Sequence, residues 1–406
     1  MKKRKALEGV KIADFSWMGV GPIAMKYAAN LGAEVIRIES KTRVDHTRTS
    51  MPYKDWQPGL NRSGIFNYFN DSKYSITLNL KMHKAQEAAR RIIWDWADVV
   101  ADAHLPGIME DWGLDYETLR KEKPDLIHVA TSLQGKTGTY SGLPGHGIVG
   151  SQLAGFSVIT GWPDREPTVP FGAYTDFTAF PFMVIALMAA LIYRKRTGKG
   201  QYIDMSQLEA SIQLLAPPVM DYMINGRILE RKGNRDTRSA PHGVYRCQGD
   251  EEWCAIAVSS DDEWGSFCRV IGDPEWTKNP KFTTFRGRKE NEDELNMMVE
   301  EWTSNHSPEQ VMKLMQAAGV PAGVVQSGEG LVRDAQLNHR GTHVTLKHPE
   351  VGEHIYAQPP YRLSKTPPEL TMPAPCIGQH NEYVLKEILG MSDDEVADLI
   401  IEGALE

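Results

Sequence analysis

The sequence predicts an α/β fold, in which a large domain built on a parallel sheet is joined to a smaller α+β domain. The first sign is residues 9–39, which read as strand, tight turn, helix and strand. Such a βαβ unit has parallel strands joined by a right-handed crossover. The second sign is that helix and strand patterns keep alternating up to residue 206. The third is a change of composition after Pro217-Pro218, where Trp, Asp and Glu become frequent.

The individual elements follow from the spacing of apolar residues. VKIADF and AEVIRIE are strands, and IAMKYAANL between them has helical spacing and ends at Gly32. Further strands are predicted at SITLNL (75–80), DVVADA (98–103), DLIHVATS (125–132) and QYIDMS (201–206). Further helices are predicted at KAQEAARRIIWDWA (84–97), at YETLRKEK (116–123) and in the apolar run after Asp176.

The domain boundaries are placed where these patterns change. Beyond Pro218, GVYRCQ and EWCAIAVS form a predicted hairpin that turns near Gly249-Asp250. The Pro-rich C-terminal segment ends in an amphipathic helix, EYVLKEILG, and we expect it to return to the first domain. The predicted ranges are 1–215 with 336–406 for the large domain, 228–330 for the small domain, and 216–227 and 331–335 for linkers.

Length, charge and cysteine usage exclude several classes of protein. The 406 residues are too many for one ordinary core. The net charge of −8 argues against a nucleic-acid partner, and we interpret KKRK at residues 2–5 as a solvated tail. Residues 6–16 contain no apolar stretch typical of a signal peptide. The four cysteines match no metal or disulfide pattern, so we expect no metal and a reducing cytoplasm.

The long apolar run at residues 177–193 is predicted to be a buried core helix. A membrane-spanning helix needs about 20 apolar residues, and this run is shorter and contains Thr178 and Pro181. We therefore expect no membrane association. The question is why Asp176 precedes so apolar a run. It could cap the helix, since Asp is a preferred N-cap residue, or it could be a reactive carboxylate held at a helix end.

The turn after the first strand matches the residue pattern of dinucleotide-binding sites. GVGPIA (19–24) fits G-x-G-x-x-A, and Glu39 follows Gly19 by twenty residues. However, Pro22 removes one backbone N–H that should hold a pyrophosphate. We favour a tight turn at the carboxyl edge of the sheet that faces a different ligand.

Eight segments, in order along nearly the whole chain, make the sequence resemble the class III CoA-transferases, the formyl-CoA and carnitine CoA-transferase family. They are LEGVKIADFSWMGVGPIAMKYAANLGAEVIRIES, NDSKYSITLNLK, ADVVADAHLPGIMEDWGLDYETL, RTGKGQYIDMSQLEA, AAGVPAG, HPEVG, PYRLSKTPP and APCIGQHNEYVLKEILG. The resemblance implies a Rossmann-like large domain, a small α+β domain and a dimer of interlocked rings.

The resemblance also implies a reaction. Asp176, in YTDFTA, falls at the position of the family's nucleophile. It would attack an acyl-CoA thioester, forming a mixed anhydride and then an aspartyl-CoA thioester, before the acceptor acid reverses these steps. Coenzyme A would enter as a thioester substrate, without a tightly bound cofactor. The family's coenzyme A contacts map onto Met18, Gly19, Val20, Arg37, Leu78, Lys81, Ala103, His104, Leu105, Gly145, His146 and Gly147.

Departures from the family pattern bear on the substrate. Formyl-CoA transferase has Gln at the position of Gly19, and a common acidic residue is replaced at Gly147. Because aromatic residues stand near Asp176, we predict an apolar pocket that includes Trp17, Tyr174 and Phe180. The pocket would take a bulky acid of benzylsuccinate type, with succinyl-CoA as donor. Carnitine-type or aryl-lactate acceptors are alternatives, and His104, His146 and His242 are candidates to bind the acceptor's free carboxylate.

Other functions stay open at this point. An acyl-CoA racemase of the same fold would exchange an α-proton through an Asp and a His. A non-catalytic subunit of a heteromeric transferase is a second possibility, which the presence of Asp176 disfavours. The expected partners are an acyl-CoA, a carboxylic acid, and either an identical chain or a paralogous subunit in an interlocked dimer.

Overall fold

The computed structural model describes residues 5–406, so the predicted basic tail at residues 2–5 lies outside it except for Lys5. These residues form two compact units. The first consists of the chain up to Val158, Val169–Leu229 and Gln336–Glu406. The second consists of Ile159–Thr168 and Glu230–Ala335. Each unit is described separately below.

The first unit is built on a six-stranded parallel sheet, which confirms the predicted fold class. The strands are β1 (Lys11–Phe15), β2 (Glu34–Glu39), β3 (Tyr74–Thr77), β4 (Val99–Asp102), β5 (Ile127–Ser132) and β6 (Gln201–Ser206). Their order in the sheet is β3-β2-β1-β4-β5-β6, the doubly wound order. The order reverses between β1 and β4, and ligands of such sheets bind at this switch point, beyond the carboxyl ends of the strands.

Helices cover both faces of this sheet. The helices of this unit are α1 (Val20–Asn30), α2 (Gly64–Asn70), α3 (His83–Arg91), α4 (Ile108–Asp111), α5 (Tyr116–Leu119), α6 (Gly147–Leu153), α7 (Phe156–Ile159), α8 (Tyr174–Thr197), α9 (Gln207–Ile212) and α10 (Ala216–Asn225). Shorter 3-10 turns occur at His46–Thr49, Lys54–Trp56 and Gln213–Leu215, and α3 continues as a π-helical turn at Ile92–Trp96. The predicted helix at 116–123 is thus limited to one turn.

Alternate residues of the strands point into two separate cores. Ile12, for example, packs in one core with buried residues of α1 and α8. Its neighbour Ala13 packs in the other core with residues of α3 and the C-terminal segment. Because successive side chains of a strand point to opposite faces, strands covered on both faces are apolar throughout. This is why they could be recognised as short continuous apolar runs.

The C-terminal segment of the first unit runs beside the β3 edge of the sheet. It contains α16 (Ala335–His339), the antiparallel strands β10 (His343–His348) and β11 (Gly352–Ala357), a π-helical turn (Tyr383–Ile388) and α17 (Asp393–Ile401). Asn381 accepts a hydrogen bond from the backbone N–H of Thr77 at 2.9 Å, and Leu405 forms a bridge with Leu78. The end of the chain therefore closes the edge left open by β3.

The second unit is a small α+β unit. Its strands β7 (His242–Arg246), β8 (Trp253–Ala257) and β9 (Ala322–Val324) form an antiparallel sheet in that order. Its helices are α11 (Asp261–Val270), α12 (Phe285–Glu290), α13 (Glu292–Thr303), α14 (Pro308–Ala317) and α15 (Gly328–Arg333), with a 3-10 turn at Glu275–Lys278. The predicted hairpin is the β7–β8 pair.

One segment belongs to a different unit from the one predicted. Residues 159–168 were expected in the large domain, but they cluster with the second unit. The backbone N–H of Gly233 donates to the carbonyl of Gly161 at 2.9 Å, and a Cβ on Gly233 would lie 2.4 Å from the Trp162 ring. Residues 331–335, expected to be a linker, also cluster with the second unit.

Helix α8 is longer and more exposed than predicted. It is the one described helix that is long and apolar enough to cross a membrane, by length and composition, and a third (33%) of its most apolar stretch is buried. Its buried residues recur every three or four positions, at Ala179, Met183, Leu187 and Ala190, and pack in the core with α1 and the sheet. Pro181 lies within the helix without ending it.

Candidate active site

Asp176 lies in the first turn of α8, but it is not the N-cap. Ala173 occupies the N-cap position, and no side chain caps the helix there. The backbone N–H of Asp176 donates to the carbonyl of Ala173 at 2.9 Å, a 3-10 type contact in the first turn. The capping interpretation is therefore wrong, and the carboxylate is free to serve another purpose.

Two donors hold the Asp176 carboxylate in place. The Gln207 amide Nε2 donates to Oδ1 at 2.6 Å and also to Thr175 Oγ1 at 2.9 Å. The backbone N–H of Gly147 is the second donor. Thr175 in turn donates to the carbonyl of Gly147 at 3.0 Å. The first turns of α6, α8 and α9 are thereby joined around one carboxylate.

Gly19 and Gly147 are glycines because the backbone must approach this carboxylate closely. A Cβ on Gly19 would lie 2.3 Å from Asp176 Oδ2, and a Cβ on Gly147 would lie 2.6 Å from the carbonyl oxygen of Ala173. A side chain at position 19 would require the Asp176 carboxylate to move, and one at position 147 would require the chain at Ala173 to move.

Burial sets the proton affinity of Asp176. The residue is 7% exposed, and loss of solvent raises the pKa of its carboxyl to about 6, although the hydrogen bonds from Gln207 and Gly147 oppose the rise. Burial outweighs these two hydrogen bonds, so the pKa lies above the usual value of an aspartate. At pH 7 the carboxylate still predominates by about ten to one.

Asp176 opens onto a cavity of about 310 Å³ at the carboxyl ends of β1, β4 and β5. The predicted residues that line it are Trp17, Met18, Gly19, Val20, Ala103, His104, Leu105, Gly145, His146 and Asp176. Residues that the sequence did not single out also line it, among them Gln207, Arg43, Thr131, Ser132 and Leu133. The structure thus brings together three turns that are far apart in the sequence.

Leu78 and Lys81 line an adjoining groove of about 170 Å³ instead. The groove and the cavity share Trp17, Arg43 and His104. The predicted coenzyme A contacts therefore occupy two neighbouring depressions rather than one.

Arg37 does not face either of these spaces, which corrects its predicted contact with coenzyme A. Its side chain is 0% exposed and pairs with Asp45. It also donates to the carbonyl of Ser16 at 2.9 Å, and Asp45 accepts the backbone N–H of Met18 at 3.2 Å. Met18 adopts a left-handed conformation, with φ of 64°. Arg37 therefore supports the turn that carries Met18 and Gly19.

Two of the three predicted pocket aromatics also lie elsewhere. Phe180 packs against Tyr27, with 4.9 Å between ring centroids, and Tyr174 packs against Phe156 at 5.1 Å. Phe180 lies about 6 Å further along α8 than Asp176, where it packs against the core that includes residues of α1. Trp17 alone of the three lines the cavity.

The three candidate histidines have different surroundings. His104 is 8% exposed, and burial lowers its pKa to about 4, so its ring is neutral at pH 7. His146 is the N-cap of α6, where Nδ1 accepts the backbone N–H of Ile148 at 3.5 Å. His242 lies in the second unit and lines a different cavity, so the structure does not bring it together with the other two.

A carboxylate with this environment can act as a nucleophile or as a base. It is ionised at neutral pH, held by two donors and open to a cavity large enough for part of a substrate. Within residues 5–406, no cluster of three or more His, Cys, Asp or Glu side chains is placed to hold a metal ion.

Comparison with known proteins identifies the family. The sequence profile described as CoA-transferase family III matches residues 7–381. The succinyl-CoA–D-citramalate CoA-transferase of Chloroflexus aurantiacus is 31% identical, over 97% of each chain. The mouse succinyl-CoA:glutarate CoA-transferase is 29% identical, over 99% of this chain and 91% of that protein.

A solved structure agrees with these sequence relatives. The crystal structure of a CAIB/BAIF family protein from Brucella suis superposes with a TM-score of 0.87 at 29% identity, covering 95% of this chain and all of that one (100%). With the profile match over nearly the whole chain, this shows that the protein belongs to CoA-transferase family III and is a class III CoA-transferase.

Proposed function

We propose that this enzyme moves coenzyme A from succinyl-CoA to a carboxylic acid through a covalent intermediate on Asp176. The observation that carries the proposal is the buried carboxylate itself, with a pKa of about 6, two donors and an opening onto the cavity. The choice of donor rests on the relatives, two of which are named as succinyl-CoA-dependent.

The first half of the reaction exchanges one acyl bond for another. Asp176 attacks the thioester carbonyl carbon, the C–S bond breaks, and a mixed anhydride and the coenzyme A thiolate result. The thiolate then attacks the aspartyl carbonyl carbon, which forms a new C–S bond and releases succinate. The acceptor carboxylate attacks this aspartyl-CoA thioester, and the same steps in reverse give the acceptor's CoA ester and free Asp176. Coenzyme A takes part only as a thioester substrate.

Gln207 has a specific part in this cycle. When the thiolate attacks the aspartyl carbonyl, negative charge develops on an oxygen of Asp176 itself. Gln207 Nε2 already lies 2.6 Å from Oδ1, and the Gly147 N–H is the other donor to this carboxylate. Donors fixed in advance at a developing oxyanion are among the strongest contributions to catalysis.

The acceptor acid is proposed from the relatives and from the cavity. D-citramalate and glutarate, named for two relatives, are dicarboxylates. The benzylsuccinate-like acceptor predicted from the sequence is also a dicarboxylate, but the aromatic pocket that suggested it is reduced to Trp17. We therefore place aliphatic dicarboxylates first, and benzylsuccinate, carnitine-type and aryl-lactate acids after them.

The protein acts as a dimer in this proposal, formed by two identical chains or by this chain and a paralogue. Helix α10 has no buried residue in the single chain, and Met223 and Ile224 on it are more than 70% exposed. Ile185 on α8 is 64% exposed. Apolar surface of this extent normally contacts a partner. A subunit partner, rather than a membrane, suits α8, because α8 carries Asp176 and packs on the sheet.

We also propose a reducing cytoplasm as the compartment. Cys247, Cys254 and Cys268 are free and buried, and burial raises the pKa of each thiol. Buried thiols of raised pKa are inert packing residues rather than oxidised pairs.

The test is Asp176→Asn. The amide keeps the shape but cannot form an anhydride, so transfer from succinyl-CoA to glutarate should fall at least about 1,000-fold. The wild type, mixed with succinyl-CoA and then borohydride, should carry a reduced aspartyl thioester on the YTDFTAF peptide. Asp250→Asn, in the β7–β8 turn, is the matched control and should keep full activity. An active Asp176→Asn enzyme with no modified peptide would overturn the proposal.

The same assay separates a racemase from a transferase. An acyl-CoA racemase would incorporate deuterium from solvent at the α-carbon of a chiral acyl-CoA, without exchanging its acid. A transferase would exchange the acid and leave the α-hydrogen in place.

A further inference from the structure

The cavity wall around Asp176 has one side chain of permanent positive charge among the described residues that line it, and that is Arg43. The other basic groups on this wall are His104 and His146. His104 is neutral at pH 7, because burial lowers its pKa to about 4. Any second negative charge that a substrate brings here would therefore meet Arg43.

The side chain of Arg43 contacts an aromatic ring, but no carboxylate of the described chain neutralises its charge. Its guanidinium lies 5.0 Å from the centre of the Trp17 ring, a cation–π distance, and its backbone N–H donates to Ser40 Oγ at 3.3 Å. The side chain is exposed, and no ion pair is formed by it within the described chain. The neighbouring Glu39 is paired with Arg48 at 2.7 Å.

The charge of Arg43 acts on the inside of the cavity. It is one of the groups that lower the pKa of His104, whose ring lies 6.0 Å from that of Trp17. Trp17, Arg43 and His104 therefore form one side of the space that Asp176 opens into. A guanidinium presents paired N–H groups that match a carboxylate in two parallel hydrogen bonds.

We propose that Arg43 binds the remote carboxylate of a dicarboxylic acyl group and so selects dicarboxylates over monocarboxylates. This inference rests on the proposed transfer reaction at Asp176. Succinyl-CoA and glutarate each have a carboxylate that does not react. A second negative charge beside the ionised Asp176 is unfavourable unless a cation accompanies it. The guanidinium of Arg43, which lines the same cavity and lies over the Trp17 ring, supplies that cation.

The same guanidinium also lines the groove of Leu78 and Lys81, so an anion of a different origin has to be considered. Phosphate groups of coenzyme A have the same chemistry as a carboxylate for an arginine. The two sources differ in what they predict. A phosphate contact would serve every CoA ester alike, whereas a carboxylate contact would serve dicarboxylic acids alone.

The experiment compares two acid pairs of similar size. One pair is succinyl-CoA with glutarate, and the other is butyryl-CoA with valerate, which lacks the second carboxylate. In Arg43→Gln, kcat/KM for the dicarboxylate pair should fall about 10- to 100-fold, while that for the monocarboxylate pair should change less than about threefold. Arg43→Lys should recover part of the loss, since it restores charge without the paired hydrogen bonds. Arg286→Gln, 87% exposed in the second unit, is the matched control and should change neither value.

Each other outcome overturns the proposal. Equal losses for both pairs, which disappear when 3′-dephospho-CoA esters are used, would assign Arg43 to a coenzyme A phosphate. No loss for either pair, or a wild type that uses both pairs equally well, would leave Arg43 without a role in selectivity. If circular dichroism shows that Arg43→Gln does not fold, the test rests on Arg43→Lys. In that case, a ratio of kcat/KM between the dicarboxylate and monocarboxylate pairs that equals the wild-type ratio would contradict the proposal. A wild type inactive with both pairs would contradict the transfer reaction itself.

Discussion

At the scale of single residues, Asp176 combines two properties that oppose each other. In the proposed mechanism, burial excludes water from the covalent intermediate on Asp176, but burial also disfavours the ionised form that would attack. The hydrogen bonds from Gln207 and Gly147 limit this rise, and the pKa stays at about 6. The result is a carboxylate that is buried and still ionised at neutral pH.

The rate of the first half-reaction should therefore depend on pH. We expect kcat/KM for succinyl-CoA to fall about tenfold per pH unit below pH 6 and to level off above pH 7, because only the ionised carboxylate attacks. Gln207→Leu removes a hydrogen bond that lowers this pKa, so its profile should shift to higher pH. Profiles measured from pH 4.5 to 8.5 check both statements. A flat wild-type profile would contradict them.

The stability of the protein should respond to the same group with a definite sign. The folded pKa is raised to about 6 from 3.8, so the fold favours the protonated form. This stabilisation is present below about pH 4 and is lost as the pH rises through 6, which amounts to about 3 kcal/mol at pH 8. Asp176→Asn should thus melt above the wild type at pH 8, by a margin that shrinks towards pH 5. Asp250→Asn should show no such trend.

Individual residues were predictable where a motif fixed them and not where burial decided their role. Asp176 followed from its place before an apolar run within an ordered set of motifs. Arg37 was misassigned because an arginine late in a strand has the same sequence pattern whether it faces solvent or is buried against Asp45. Gln207 was missed because it lies 31 residues from the carboxylate that it contacts.

At the scale of elements, the loop after β5 is fixed to its neighbours by Lys136. Its Nζ donates to Asp102 Oδ1 at 2.7 Å and to the carbonyl of His104 at 2.6 Å, and its backbone N–H donates to Asp204 at 2.9 Å. Asp102 also contacts His128 at 2.8 Å. The loops after β4 and β5, which supply much of the cavity wall, are thereby joined to each other and to β6.

Lys136→Met should loosen this junction. We expect a loss of about 2 kcal/mol in the free energy of unfolding, since a charged hydrogen bond to a buried carboxylate is removed while His128 stays in place. We also expect KM for succinyl-CoA to rise more than kcat falls, because the wall moves while Asp176 keeps its own donors. Urea unfolding and steady-state kinetics measure the two effects. Lys199→Met, at an exposed site, is the control, and equal behaviour of the two variants would contradict the prediction.

The regular elements were largely recoverable from the sequence. Each strand of the parallel sheet is a short apolar run, because it is covered on both faces, and turn residues or helices separate the runs. Helix α8 was recognised but its first turn was not, since Tyr174 and Thr175 carry no helical signal of their own. Residues 159–168 could not be placed, because their membership in the second unit depends on the contact of Trp162 with Gly233.

At the scale of the whole molecule, the exposed apolar faces of α8 and α10 lead to a prediction about assembly. Light scattering after gel filtration should give about twice the 45.5 kDa of one chain at micromolar concentration, if the chain pairs with itself. Charges introduced by Met223→Glu with Ile224→Glu should abolish that dimer, because burying them would be costly.

Ile401→Glu is the control for this experiment. Ile401 is equally apolar and 80% exposed, but it lies on α17 near the end of the chain. A wild type that stays monomeric until a paralogue is added would select the heterodimer. A wild type that is monomeric and fully active without a second subunit would contradict both the homodimer and the heterodimer.

The contact between Gly19 and Asp176 also limits how this enzyme can be re-engineered for new acids. Directed evolution needs positions where side chains can be exchanged while the chemistry survives. Position 19 offers little such freedom, because a Cβ there would lie 2.3 Å from Asp176 Oδ2 and displace the carboxylate on which the proposed chemistry depends. Arg43 and Leu143 are exposed residues that line the same cavity, so substitutions at those two positions can vary the acid specificity while Asp176 and its donors stay unchanged.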